Sequence, residues 1–362
     1  MKDRLGRWTI AISAACMTLI LGITTPVGAA PPAAISPDGR QIALAWPPTG
    51  TADAETTLLN TETGAVEGLQ SEQAPLGMAW SPDGAFLLYA VGNPDEPVTY
   101  VFDMTKRRSR RIPAKMGPPF GWREDSRRFA GVWKNEDGRT EVVFFGLSEF
   151  GETLRAPSAV DAIIGNRMVW LPNTDDVAFI GQVRGLANVR TMEGGQERTI
   201  TSTGDVLTIA LSKDGKELIW ARSSRNTRYI LLSLYAFDLS TRSVRRQEFP
   251  ERVAGINPRP DTSPTRLISA TLCPAGDRLA VVVEYPSSGK TAGTCRLYAL
   301  RMSGGGARMV RSVPSANAGL TAVWSDDGQR LAVVDRRGSE AYLAVFDSNG
   351  SNGKVALHWR RP

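Results

Sequence analysis

Along this chain a large apolar residue, a tight polar turn, two spacer residues and an apolar strand recur seven times without gaps. The copies are Ile35-Ser-Pro-Asp-Gly39, Trp80-Ser-Pro-Asp-Gly84, Trp122-Arg-Glu-Asp-Ser126, Trp170-Leu-Pro-Asn-Thr174, Leu211-Ser-Lys-Asp-Gly215, Leu272-Cys-Pro-Ala-Gly276 and Trp324-Ser-Asp-Asp-Gly328. In each copy the third and fourth residues after the turn are apolar, from Ile42-Ala43 and Leu87-Leu88 to Leu279-Ala280 and Leu331-Ala332. The turn glycines or their replacements are separated by 45, 42, 48, 41, 61 and 52 residues. Spacings of about 40–50 residues are those of four-stranded propeller blades.

Each unit reads as four strands, A to D. Strand A ends at the apolar residue before the turn, and strand B follows, as in 40–46, 85–91 and 329–334. Strand C often ends on an apolar-Asp pair, as in Phe102-Asp103, Phe237-Asp238 and Phe346-Asp347, and a short strand D completes the unit. Proline presets φ in the turn, aspartate bonds nearby backbone, and glycine accepts a positive φ. No amphipathic helix interrupts the pattern, so the chain is read as all-β. One blade cannot bury both faces, and the blades must close into a ring. About 333 residues after residue 29 give roughly 48 per blade, which favours one seven-bladed β-propeller over residues 30–362, with six or eight blades as alternatives. The proline-rich stretch 248–266 is read as a loop, not an extra blade.

The first 29 residues have another character. Lys2, Arg4 and Arg7 precede a mostly apolar run to Ile23, and Val27-Gly28-Ala29 offers small residues for cleavage. That is the pattern of a secretory signal peptide, with a retained anchor as the competing reading. No later stretch has the roughly 18 consecutive apolar residues of a membrane helix. A periplasmic or secreted location is therefore expected, with no stable membrane span after cleavage. The net charge of +6 falls to about +4 without the signal, too mild an excess to argue for nucleic acid.

Chemistry is sparse. His358 is the single histidine, in the last strand, which argues against a Ser-His-Asp set or a histidine metal cluster. The aspartates of the turns form a series, but each serves its own hairpin. Cys273 and Cys295 are separated by a strand of about eight residues, or roughly 26 Å, beyond the ~7 Å limit for a bridge; two buried free thiols are expected. No catalytic residue, cofactor or metal is assigned. What remains is loop surface. The B–C loops of blades 1 to 3 are net acidic, including Asp95 and Glu96. Those of blades 4 to 7 are net basic, with Arg184 and the group Arg222, Arg225 and Arg228, a concentration that attracts carboxylates or phosphates. A second basic run, Lys106-Arg107-Arg108-Ser109-Arg110-Arg111, is expected between strands C and D of blade 2, facing anionic lipid or an acidic partner.

The repeat resembles that of TolB-type propellers, whose W-S-P-D-G-x-x-[ILF]-A core is matched closely at 80–88 and 324–332. The third and fourth copies keep the tryptophan but have lost most turn residues. TolB carries an α/β domain before its propeller, and related peptidase propellers carry a hydrolase domain. Here the first repeat starts close to the cleavage site, and no G-x-S-x-G occurs. The resemblance therefore implies a stand-alone propeller and transfers neither partner nor catalytic residue. The expected function is an exported, non-catalytic propeller binding an envelope protein or polysaccharide. The alternative is a carboxylate-based hydrolase or lyase at the central channel. Oligomeric state is left open.

Overall fold

Each copy of the motif closes a hairpin between two antiparallel strands, and each hairpin continues into two more. A computed structural model describes residues 33–46, 55–69, 75–225, 230–247, 266–274, 276–285, 293–302, 307–314, 318–325, 327–337 and 340–360. Blade 1 comprises β1 (Ala33–Ile35), β2 (Gln41–Trp46), β3 (Glu55–Asn60) and β4 (Val66–Gly68). Blade 2 holds β5 (Pro75–Trp80), β6 (Phe86–Asn93), β7 (Glu96–Asp103) and β8 (Arg108–Arg111). Blade 3 holds β9 (Gly117–Trp122), β10 (Arg128–Lys134), β11 (Thr140–Gly146) and β12 (Gly151–Pro157). Blade 4 holds β13 (Ala162–Trp170), β14 (Val177–Val183), β15 (Leu186–Glu193) and β16 (Gln196–Thr199). Blade 5 holds β17 (Val206–Leu211), β18 (Glu217–Arg225), β19 (Ile230–Asp238) and β20 (Val244–Gln247). Blade 6 holds β21 (Arg266–Leu272), β22 (Arg278–Tyr285), β23 (Thr294–Arg301) and β24 (Arg308–Pro314). Blade 7 holds β25 (Ala318–Trp324), β26 (Arg330–Arg337), β27 (Glu340–Asp347) and β28 (Lys354–Arg360).

All seven sheets have four strands in sequence order, so the expected seven-bladed all-β propeller is what forms. The signal segment and the connection 248–265 lie outside the described residues. Side chains alternate between the two flanks of a blade, and seven apolar clusters fill the seven spaces between neighbours. Burying each large apolar side chain contributes roughly 1.5–3 kcal/mol, and this packing is what makes a ring of marginal sheets stable. Among the described residues blades 1 and 7 share no strand. Their seam is closed by Ile35, Ile42, Leu44 and Leu59 against Ala332, Val334 and Leu343.

The tryptophans before the turns act across blades. The indole N–H of Trp80 donates to the Ala34 carbonyl, that of Trp122 to Ala79, and that of Trp324 to Thr271, at 3.0–3.1 Å. Trp170 differs, donating to Thr174 in its own turn at 3.0 Å. That turn also departs from expectation. The left-handed residue is Asn173 (φ 57°), not Thr174, and the Thr174 hydroxyl bonds the Leu171 carbonyl at 3.1 Å. In blade 3, by contrast, Ser126 does occupy the glycine position (φ 57°).

The innermost strands are bulged in blades 2 to 6. In blades 2, 5 and 6 one extra residue, Leu76, Leu207 or Ile268, is inserted at the same register. A bulge re-aims its side chain, and Ile268 is left 38% exposed. Cys273 and Cys295 are buried and not joined in a disulfide, as expected, at opposite ends of blade 6.

Candidate binding face

Strand direction alternates in the same way in every blade. The B–C turns and the D–A connectors therefore share one face, the loop face, and the A–B and C–D turns share the other, the turn face.

Between blades 4 and 5 the loop face is built by the connector after β16. The Asn188 side-chain oxygen accepts from Thr201 Oγ1 at 3.2 Å and from the Gly204 amide at 3.0 Å, and Thr201 Oγ1 accepts from the Val189 amide at 3.0 Å. These bonds deliver Asp205 to the edge of β18, where Arg222 meets it. Arg222 Nε and Nη2 both donate to Asp205 Oδ2, at 3.0 and 2.7 Å. The hydrogen bonds it donates to the Asp205 carboxylate hold the Arg222 pKa above its ordinary value. The guanidinium lies 5.4 Å from the Tyr235 ring, which stacks on Trp220 at 5.7 Å. Asp205 Oδ1 is buried with no hydrogen-bond partner among the described residues.

Arg184 is placed differently. With Gly185 it forms the two-residue turn between β14 and β15, both with positive φ (50° and 80°), the type I′ hairpin geometry. Its amide, not its guanidinium, is fixed, donating to Asp161 Oδ2 at 2.6 Å. Arg225 ends β18, opposite Ile230; its side chain and the whole of Arg228 lie outside the described residues. Asp95 and Glu96 sit at the blade 2 B–C turn, exposed, with the Asp95 amide bonded to Asn93 Oδ1 at 3.0 Å. Glu136 and Asp137 are exposed at the corresponding turn of blade 3. Of the six residues singled out from sequence, the five whose backbone is described, Asp95, Glu96, Arg184, Arg222 and Arg225, share one face. Arg222 is tied down by an ion pair and does not stand as a free cation.

Sequence reasoning passed over Asp161 and Asp205, the two connector acids that hold this face in shape. Each stands one residue before its strand A, a signal that was there to be read. It counts Asp335 only as a loop charge beside Arg336 and Arg337, whereas the residue lies on β26, its side chain 2% exposed and receiving Arg311 Nε and Nη2 at 3.0 and 2.7 Å. Asp335 and Arg222 occupy the same place, seven residues after the turn glycines 328 and 215. In blade 7 the strand carries the acid and the neighbouring blade the guanidinium. The polarity is reversed in blade 5. Beside Asp335, Tyr342 donates to Glu340 at 2.9 Å and stacks on His358 at 4.1 Å between ring centres. The lone histidine is therefore half-exposed on the outermost strand. Among the described residues no group of three His, Cys, Asp or Glu side chains is arranged to hold a metal ion.

No protein-family model and no curated protein matches the chain. Solved structures do, over most of its length. The propeller domain of the Trilobed protease from Pyrococcus furiosus, described as having an open velcro topology, is 13% identical, with 91% of this chain and 95% of that one covered and a TM-score of 0.59. An oligogalacturonate lyase from Vibrio parahaemolyticus is 11% identical, with 89% and 87% covered and a TM-score of 0.57. TolB from Acinetobacter baumannii is 16% identical, with 86% and 64% covered and a TM-score of 0.47. At these identities the first two likenesses show the propeller fold alone.

Proposed function

We propose that this chain is an exported, non-catalytic propeller that binds a protein or polymer partner of the cell envelope through its loop face. The reading rests on how that face uses its charges. Asp161, Asp205 and Arg222 each hold a connector or turn in place, and none converges on a common point as a catalytic set does. The result is a preorganised, loop-built surface, which lowers the ordering cost of binding a large partner. Asp95, Glu96, Glu136 and Asp137 project from it on blades 2 and 3, so a partner with cationic groups fits that side. Export is supported by the amino-terminal signal pattern, and no helix among the described residues is long and apolar enough to cross a membrane.

The test is capture from the host's envelope extract on immobilised protein. A second bed carries a variant with Asp95→Asn and Glu96→Gln, and a third carries Arg225→Ala with Arg228→Ala. Retention by the unaltered protein that is lost on either variant supports the loop face. Equal retention on all three beds moves the partner off that face. Turnover of a polyuronate or lactone by the purified protein would replace this reading with the hydrolase or lyase alternative.

A further inference from the structure

The basic run of blade 2 has no part in the loop face. Sequence reading places it in a loop between strands C and D. The structure instead makes Arg108–Arg111 the outer strand itself, β8, paired to β7 on one edge and, among the described residues, to no strand on the other. The Ile112 amide donates to the Thr99 carbonyl at 2.9 Å. In an antiparallel ladder such bonded pairs alternate, so Arg108 and Arg110 also turn their backbone groups inward. Ser109 and Arg111 turn theirs outward.

The side chains splay to both flanks. Arg110 lies toward blade 3, its guanidinium 3.2 Å from the centre of the Phe150 ring, and Arg108 is on the same flank. Arg107, in the turn before β8, meets Glu67 of blade 1, and Arg111 shares that side. Arg108 and Arg111 are exposed, and neither makes an ion pair among the described residues. On three other outer strands arginines are paired with acids, whereas Arg308 on β24 is exposed with no ion pair among the described residues. Arg155 on β12 binds Glu141 and Glu152, Arg198 on β16 lies 3.5 Å from Glu193, and Arg245 on β20 binds Glu217 at 2.7 Å. Only β8 holds three arginines in four residues.

We infer that β8 is a strand-addition site for an extended acidic peptide segment. Such a segment bonds the outward N–H and C=O groups of Ser109 and Arg111 and sets carboxylates against Arg108 and Arg110 on one flank and Arg111 on the other. The same charges repel a second copy of β8, which is how an exposed edge avoids self-pairing. A lipid surface fits less well, because the guanidinium groups do not share a plane.

The test uses the purified protein and fluorescein-labelled Glu-Val octapeptides of repeating Glu-Glu-Val-Val, which put Glu on both flanks of a strand, with a Lys-Val control of the same pattern and phosphatidylglycerol vesicles. The Glu-Val peptide is expected to bind with strong salt dependence, and the Lys-Val peptide is not. Combined R108S, R110S and R111S should weaken binding at least about tenfold. R111Q and R111P remove the same charge, but only proline removes the outward N–H, and it breaks no ladder bond. R111P should therefore bind roughly fivefold more weakly than R111Q. N-methylation of alternate amides in the peptide, a change that leaves protein folding untouched, should weaken binding similarly. Equal binding by R111P and R111Q, or by the methylated and plain peptides, would overturn strand addition. So would vesicle binding that the triple variant loses while peptide binding persists.

Discussion

At the turn face of blade 5, Ser212 donates to Asp214 at 2.6 Å and accepts from the Glu217 amide at 2.9 Å, while Asp214 accepts from the Lys216 amide at 3.2 Å. The same set recurs with Ser36 and Asp38, Ser81 and Asp83, and Ser325 and Asp327. At the loop face of the same blade Arg222 reaches back 17 residues to Asp205, and its counterpart in blade 7 is an acid. One end of the blade is closed by bonds within a hairpin, so it can be copied from blade to blade. The other is closed by bonds between chain segments, so each blade must solve it separately. The second arrangement leaves room for function, because a change there does not disturb a shared unit.

The comparison breaks most visibly at Asp335. Arg311→Met keeps the aliphatic stem and takes two charge-assisted hydrogen bonds from a carboxylate whose side chain is 2% exposed, at an expected cost of about 3 kcal/mol. Arg222→Met exposes the more accessible Asp205, at 23%, and should cost about 1–2 kcal/mol. Denaturant midpoints of the two variants should rank in that order. The reverse order would mean that burial of the acid does not govern the loop face.

Next in size are the indole bonds. Trp324→Phe removes a donor to the Thr271 carbonyl of the neighbouring blade, and Trp170→Phe removes one to its own turn. Each should cost roughly 1 kcal/mol for the lost bond, but in different places. Hydrogen exchange should quicken in β21 as well as β25 for the first, and only near residues 171–176 for the second. Matching patterns would show that blades are coupled by packing alone.

This division also explains what was legible beforehand. Seven turns, their order and the strands around them stood out because local hydrogen bonding recurs with the sequence that makes it, as at Ser81 and Asp83. The buried thiols followed from the same register, since it put Cys273 and Cys295 at opposite ends of one strand. Asp205 was passed over because its partner Arg222 lies 17 residues on, beyond β17 and its turn, and an acid directly before strand A recurs only in blade 4, at Asp161. The bulges at Leu76, Leu207 and Ile268 leave no trace in composition, because an extra apolar residue in an apolar strand looks like length. The basic run was read as a turn because arginine is an unusual filling for a strand. An outer edge strand tolerates it, with one side open to solvent.

The smallest effect tests the turn face by acid. Hydrogen bonds from Ser240 and from the Thr241 and Ser240 amides hold the Asp238 carboxyl at about 2, below its ordinary 3.8. The Ser212 hydroxyl and the Lys216 amide lower Asp214 in the same way. Burial pushes Asp83 up, but bonds from Ser81, Ala85 and Ser126 outweigh it and leave the carboxyl low. A carboxyl depressed in the folded state binds fewer protons there than in the unfolded chain. Its contribution is present above the unfolded value near 3.8 and is lost as pH falls through the folded value. The melting temperature should therefore decline between about pH 4 and pH 2. Asp214→Asn combined with Asp238→Asn should flatten that decline while lowering the plateau above it. These carboxylates are solvent-exposed, so the flattening will be partial and will shrink with added salt. An unchanged acid limb in the double variant would place the lost stability in carboxylates away from these turns.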